Sequence, residues 1–219
     1  MDIDENIREA VKKIENHWFK LMAKYSENIS LQQQFLNEII QEYSSGKRFY
    51  HNLLHIAELL DFSIQYKSEI KDIDTLQLAI YYHDFVYNIA GTDNEEKSAE
   101  TAKLQLKKLG IADNKIEKCC KLITATKFHT DFIDKDTMFL QDFDLSVLGA
   151  EWSKYLQYSK NIRLEYSRFS DSQYKKGRIA ILNYFLAKES IYKTVTFHNK
   201  YERISKNNIK REIDLLNSK

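Results

Sequence analysis

The chain has 219 residues, of which 43% are hydrophobic and 30% charged, so it can bury a sizeable core and is predicted to form a single domain over 1–219. The net charge is +1 with both signs interspersed, which argues against a surface for nucleic acid or for an acidic membrane. Because the chain has no proline and only five glycines, little in it breaks helices or forms tight hairpins, and the composition predicts an all-α protein.

The N-terminal sequence and the cysteines indicate a compartment. The first ten residues, MDIDENIREA, are acidic, unlike a signal peptide, and no apolar run approaches the roughly 20 residues that span a bilayer. Cys119 and Cys120 are adjacent, so they cannot form an ordinary disulfide with each other and lack the spacing of a zinc or redox motif. We therefore expect a cytoplasmic protein whose thiols are reduced and which has no membrane partner.

Three helices are predicted in the first third of the chain. Apolar residues at helical spacing predict packing helices over about 7–25 and 30–43, and a third helix from about 47 to 66. His51 and His55 are four residues apart on that third helix, so they would share one face and could line a common site. A zinc protease is excluded, because its pattern requires glutamate where this chain has Asn52.

The most apolar helical run, over 76–88, carries a histidine and an aspartate side by side. One face of this predicted helix contains Leu76, Ala79, Ile80, His83 and Tyr87. His83 is therefore expected to be buried, and Asp84 lies at the edge of that face, where an ionised carboxylate requires a cationic partner. A divalent metal would satisfy it, although a core histidine beside a surface aspartate remains the alternative.

Acidic residues also occur in two later predicted elements. Glu95 lies in the first turn of a helix predicted over about 93–109, where capping and compensation of the helix dipole are sufficient to explain it. After a helix over about 113–128, Asp142 and Asp144 lie in an apolar helical segment, so at least one of these carboxylates is expected to be buried with a partner. The helices predicted in the last third, over about 152–169, 174–187 and 199–216, contain no chemical motif.

The polar residues in apolar helical surroundings form a metal-ligand set. They are His51, His83, Asp84 and one of the two aspartates at 142 and 144. Imidazole and carboxylate ligands together suit Mn²⁺, Fe²⁺, Zn²⁺, Ni²⁺, Co²⁺ or Mg²⁺, with positions left open for water and substrate. The sequence therefore predicts a divalent metal ion without fixing its identity.

The order H…HD…D resembles the HD superfamily of metal-dependent phosphohydrolases. Six blocks over about 48–178 resemble a family of uncharacterised predicted members of that superfamily: RFYHNLLH, LAIYYHDFVYN, DNEEKSA, TATKFH, FLQDFDLSVLG and IRLEY. The resemblance implies an HD-type helical bundle with its motif-bearing core over these residues and packing helices on either side.

The resemblance also implies metal ligands. His51, His83 and Asp84 match the first three ligands of the superfamily, and Asp144 fits best as the fourth. Asp142 is held in reserve, because Phe143 is bulkier than the small residue usual before the superfamily's aspartate.

Further residues match the surroundings of such a site. His55 and His129 would be natural ligands for a second metal, and Glu95 is placed to orient water or substrate. Arg48 is the candidate for a phosphate contact, because a guanidinium matches phosphate oxygens.

The function implied is hydrolysis of a small phosphorylated substrate, a nucleotide or another phosphoester, by water that a metal activates and a carboxylate deprotonates. One alternative is an HD-type di-iron oxygenase, in which His55 and His129 would be the additional ligands. The other is a regulatory module that binds a nucleotide on the same fold without turnover. An oligomer is compatible with the sequence.

Overall fold

The computed structural model describes residues 3–127, 129 and 134–218, and these residues form helices without any β-strand. The all-α prediction is confirmed for this part of the chain. The α-helices are α1 (Ile3–Met22), α2 (Ile29–Tyr43), α3 (Leu53–Gln65), α4 (Ile73–Tyr82), α5 (Asn94–Lys108), α6 (Asp113–Ala125), α7 (Lys135–Asp144), α8 (Trp152–Glu165), α9 (Asp171–Ala187) and α10 (Val195–Asn217), with a 3₁₀ helix over Leu145–Gly149.

Two helices next to the predicted ligands are shorter than the sequence pattern indicates. Helix α3 begins at Leu53, because the Asn52 side chain accepts a hydrogen bond from the Leu54 amide and caps the helix. Helix α4 ends at Tyr82, and the amide of Asp84 donates to the Tyr43 hydroxyl at 3.1 Å instead of continuing the helix. The predicted helices over 47–66 and 76–88 were therefore wrong in their bounds.

The chain divides into two compact units, Met1–Leu140 and Gln141–Lys219. The prediction of a single domain over 1–219 stays a prediction, and each unit is described by itself. In the first unit the indole nitrogen of Trp18 donates to the Gln32 carbonyl at 3.0 Å. The ring centroids of Trp18 and Tyr81 lie 5.1 Å apart, with the two rings nearly perpendicular. The Tyr81 hydroxyl donates to the Ile14 carbonyl at 3.0 Å, so these contacts join α1, α2 and α4.

The second unit contains a buried ion pair. Arg178 of α9 donates through Nε and Nη2 to the two carboxylate oxygens of Glu212 of α10, at 2.8 and 3.0 Å. Glu212 also accepts hydrogen bonds from the hydroxyls of Tyr155 and Ser159 on α8, at 2.5 and 2.8 Å. Burial opposes ionisation of Glu212, but these bonds outweigh it and hold the pKa of the carboxyl below its usual value. The network joins three helices around one carboxylate.

Two features relate to the expected compartment. Both cysteines are free thiols, with Cys119 buried and Cys120 half-buried in α6. Among the described residues, none of the helices combines the length and apolar character needed to span a bilayer.

Candidate metal centre

The candidate centre is built around His83, the residue that follows the last turn of α4. The His83 side chain is 1% exposed, so its predicted burial is confirmed. Its Nδ1 lies 2.9 Å from the Ile80 carbonyl oxygen. A carbonyl oxygen can only accept, so Nδ1 carries the hydrogen and the neutral ring has a lone pair at Nε2.

The Nε2 atom of His83 faces two further ligand-type atoms. His55 Nε2 lies 3.3 Å away, and the Asp84 carboxylate oxygen Oδ2 lies 3.2 Å away. His55 is buried in α3, so α3 and the end of α4 together supply these atoms. The first unit therefore contains a His/His/Asp group of two buried histidines and a partly exposed aspartate, in which His83 Nε2 lies close to one atom of each partner.

Such a group requires a positive charge at its centre. A neutral His83 presents a lone pair to a carboxylate oxygen, which is unfavourable at 3.2 Å unless a cation lies between or beside them. That cation is either a proton on Nε2, which gives an imidazolium paired with Asp84, or a metal ion. Two ligands of one first-row ion at about 2.1 Å are roughly 3.0 to 3.4 Å apart for angles of 90° to 109°. The distances of 3.3 and 3.2 Å from His83 Nε2 to His55 and Asp84 fit this spacing, so each of these two pairs is suitable for a divalent metal.

Asp84 is held as an anion by its neighbours. Burial opposes its ionisation, but the interactions with His83, His51 and His55 outweigh that effect and hold the pKa of Asp84 well below its usual value. An ionised carboxylate beside imidazoles is the donor set that binds Zn²⁺, Mn²⁺, Fe²⁺ or Ni²⁺.

His51 lies in the segment before α3 and not on that helix, so the predicted shared helical face with His55 was wrong. Its ring centroid lies 6.0 Å from that of His55 and 4.6 Å from that of Tyr87. His55 lies beside His83, and its predicted role as a ligand of a second metal stays a prediction. The structure therefore brings His51, His55, His83 and Asp84 into one neighbourhood.

Arg48 holds the two segments that carry these ligands. Its guanidinium is buried and donates to the carbonyl oxygens of His51 at 3.3 Å, Asp84 at 2.6 Å and Phe85 at 2.8 Å. It also lies 4.7 Å from the ring centroid of Tyr43. This arrangement favours a positioning role for Arg48 over the phosphate contact predicted from sequence.

We expect Arg48→Lys to lower the free energy of unfolding by about 2 to 3 kcal/mol, because an ammonium group cannot make the three hydrogen bonds that the planar guanidinium donates to backbone carbonyls. Metal affinity should fall by roughly 10- to 100-fold, as is typical when a group that orients ligands is changed. Denaturant unfolding and metal titration measure the two effects, with Arg8→Lys in α1 as the exposed control. A variant of normal stability and metal affinity whose KM alone is raised would instead support the phosphate contact.

Glu95 lies in the first turn of α5 and is half-buried. Burial raises the pKa of its carboxyl, and the negative charge of Asp84 acts in the same direction. The adjacent Glu96 pairs with Lys127 at 2.5 Å, so the two glutamates have different surroundings. A carboxyl with a raised pKa near a carboxylate ligand suits a group that exchanges protons.

The two candidate aspartates of α7 belong to the second unit. The Asp142 carboxylate accepts bonds from the Lys193 amide at 2.7 Å and from the amide and hydroxyl of Thr194 at 2.8 and 2.7 Å. Burial raises the pKa of Asp142 to about 6. Its oxygens thus anchor the start of α10, and Asp144 is half-buried at the end of α7. The choice between these aspartates as the fourth ligand stays a prediction.

His129 is described with a φ of 45°, in the left-handed region, between neighbours that lie outside the described residues. Its predicted role as an additional ligand stays a prediction.

Comparisons with family models, with curated proteins and with solved structures found no match to this chain. Membership of the HD superfamily therefore stays a prediction from the sequence blocks. The structure by itself identifies an all-helical protein with a buried His/His/Asp group that could hold a metal ion.

Proposed function

We propose that the chain is a metal-dependent phosphohydrolase that acts on a nucleotide or another small phosphoester. The observation that carries this proposal is that His83 Nε2 lies 3.3 Å from His55 Nε2 and 3.2 Å from Asp84 Oδ2 in the first unit. His55 and His83 can each offer one ring nitrogen to an ion. The H…HD…D order in the sequence supports His51 and Asp144 as the ligands that complete the set.

The chain's own residues account for binding and proton transfer. A divalent ion, when bound, neutralises phosphate oxygens and lowers the pKa of water. Asp84 and the imidazoles hold this charge, and Arg48 fixes the backbone of His51 and Asp84 relative to each other. Glu95 accepts the proton of the attacking water, for which its raised pKa makes it a more effective base than an ordinary carboxylate.

A phosphatase screen tests the proposal. The chelator-treated protein is assayed with nucleotides and small phosphomonoesters and phosphodiesters, with Mn²⁺, Mg²⁺, Fe²⁺, Co²⁺, Ni²⁺ or Zn²⁺ added in turn. We expect hydrolysis, seen as phosphate release from monoesters or as monoester release from diesters, that requires one of these ions and is lost on addition of excess chelator. Glu95→Gln should lower turnover by about 100-fold or more while metal binding persists, because it removes only the base.

Other outcomes separate the alternatives. Nucleotide binding without hydrolysis of any monoester or diester would favour the regulatory module. Oxygen consumption by the Fe²⁺-loaded protein without phosphate release would favour the di-iron oxygenase. Turnover that is insensitive to chelator would contradict a metal-dependent mechanism.

A further inference from the structure

The segment between α4 and α5 is joined to the first turns of α5 by side-chain hydrogen bonds. The Asn94 carboxamide accepts from the Asn88 amide and donates to the Asn88 carbonyl, each at 3.0 Å. The Ser98 hydroxyl accepts from the Val86 amide at 2.9 Å. Because Glu95 follows Asn94 directly, these bonds fix where its helical turn lies relative to the segment that follows α4.

Lys127 adds a third connection from the end of α6, the helix that packs against α5. Its ammonium group donates to the Thr92 carbonyl oxygen and to Glu96 Oε1, each at 2.5 Å. Hydrogen bonds from a charged donor are stronger than those between neutral groups. Thr92 and Glu96 lie on either side of Glu95 in the sequence, so Lys127 connects the segment before α5, the first turn of α5 and the end of α6 next to this glutamate.

The contact made by Lys127 differs from an ordinary surface ion pair. Its side chain is only 20% exposed, and one of its two bonds goes to a backbone carbonyl. A nearby pair, Lys97 with Asp93 at 2.9 Å, has side chains that are 56% and 53% exposed. Exposed pairs of that kind restrain little, whereas a lysine largely removed from water keeps its acceptors in place.

Lys127 also acts on the charge of the Glu95 carboxyl. Burial raises the pKa of Glu95, the negative charges of Asp84 and Glu96 act in the same direction, and the positive charge of Lys127 opposes them. Loss of this lysine would therefore raise the pKa further and leave less of the ionised carboxylate at a given pH. Position and charge of Glu95 thus both depend on the same side chain.

We propose that Lys127 is a positioning residue, which holds the Glu95 turn through Thr92 and Glu96 so that the Glu95 carboxylate can accept the proton of the attacking water. Its ammonium group is engaged by these two acceptors, which favours this role over a contact with the substrate's phosphate. The role of Glu95 as the base rests on the proposed function. The effect of Lys127 on Glu95 can also be measured without turnover.

Steady-state kinetics of the metal-loaded protein test the position of Glu95. Lys127→Met should lower kcat by roughly 10- to 100-fold and leave KM and metal affinity within about twofold, because it displaces the proton acceptor without touching the substrate or the ligands. Lys127→Arg keeps the charge and the donors and should retain most of the turnover. Lys97→Met removes the exposed pair with Asp93 and should behave as the wild type.

The pH dependence tests the charge. A higher pKa means that Glu95 is ionised only at higher pH, so the acidic limb of kcat should move upward by about half a unit or more in Lys127→Met. Glu96→Ala loosens the same contact but removes a negative charge, so kcat should fall while the limb moves to lower pH. Carbon-13 NMR of labelled glutamate carboxyls in the chelator-treated protein, with Glu95 assigned through Glu95→Gln, should show the same two shifts.

Three results would overturn the proposal. They are a raised KM with unchanged kcat in Lys127→Met, as expected of a phosphate contact, equal effects of Lys97→Met and Lys127→Met, and a Glu95 titration that Lys127→Met leaves unchanged. If none of the metals supports hydrolysis, the proposed function fails, and the NMR titration of the metal-free protein still decides whether Lys127 acts on Glu95.

Discussion

Asp84→Asn is expected to remove bound metal and to lower phosphatase turnover by at least about 100-fold. Asparagine is nearly the same shape as aspartate but lacks the negative charge, so an ion beside His83 would lose its closest anionic ligand. Changes to groups that only orient ligands already cost 10- to 100-fold, and loss of a direct ligand should cost more. Metal content by elemental analysis and phosphate release measure the two effects.

The melting temperature of Asp84→Asn distinguishes a role of Asp84 in metal binding from a role in packing. In excess chelator at pH 8.5, well above the ordinary histidine pKa of about 6.5, we expect its melting temperature to equal or exceed that of the wild type, because a buried charge is removed. Asp61→Asn makes the same chemical change on a largely exposed carboxylate of α3 and should alter neither metal content nor turnover. A variant at position 84 that keeps its metal and full turnover would show that the metallohydrolase proposal is wrong.

Glu212→Ala is expected to lower the free energy of unfolding of the second unit by about 3 to 5 kcal/mol, since it leaves the Arg178 guanidinium buried without its carboxylate. The hydroxyls of Tyr155 and Ser159 lose the same acceptor. Urea unfolding followed by tryptophan fluorescence reports the change, because Trp152 lies on the adjoining helix α8.

A double-mutant cycle isolates the ion pair. Arg178→Met combined with Glu212→Met removes both charges and keeps similar volumes, so it should destabilise the unit much less than the sum of the single changes. Asp171→Ala removes the exposed member of the pair with Arg163 and should stay close to wild type. Additive effects of Arg178→Met and Glu212→Met would contradict the account of a coupled buried pair.

The sequence pattern predicts the helical class and the burial of His83, because both depend on local composition and helical spacing. The ends of α3 and α4 were mispredicted, because they depend on single hydrogen bonds. Asn52 caps α3. The Tyr43 hydroxyl accepts a hydrogen bond from the amide of Asp84, which lies 41 residues further along the chain. The spacing of hydrophobic residues along the sequence does not indicate which side chains form these hydrogen bonds.

The identity of the histidine beside His83 depends on how α3 packs on α4, which sequence spacing does not determine. Because α3 begins at Leu53, His55 is carried on a helical turn toward His83, and His51 stays in the preceding segment. Arg48 was assigned to phosphate from its residue type, but its burial and its three carbonyl partners became visible only in the fold.

X-ray absorption at the edge of a bound metal shows directly whether the His55, His83 and Asp84 group holds a divalent ion. The protein is stripped with chelator, loaded with one equivalent of Zn²⁺ or Mn²⁺, and measured beside His83→Gln. The account predicts nitrogen and oxygen ligands at about 2.0 to 2.2 Å with the scattering of at least two imidazoles, and one imidazole fewer in the variant. A spectrum without imidazole scattering, or one that His83→Gln leaves unchanged, would contradict it.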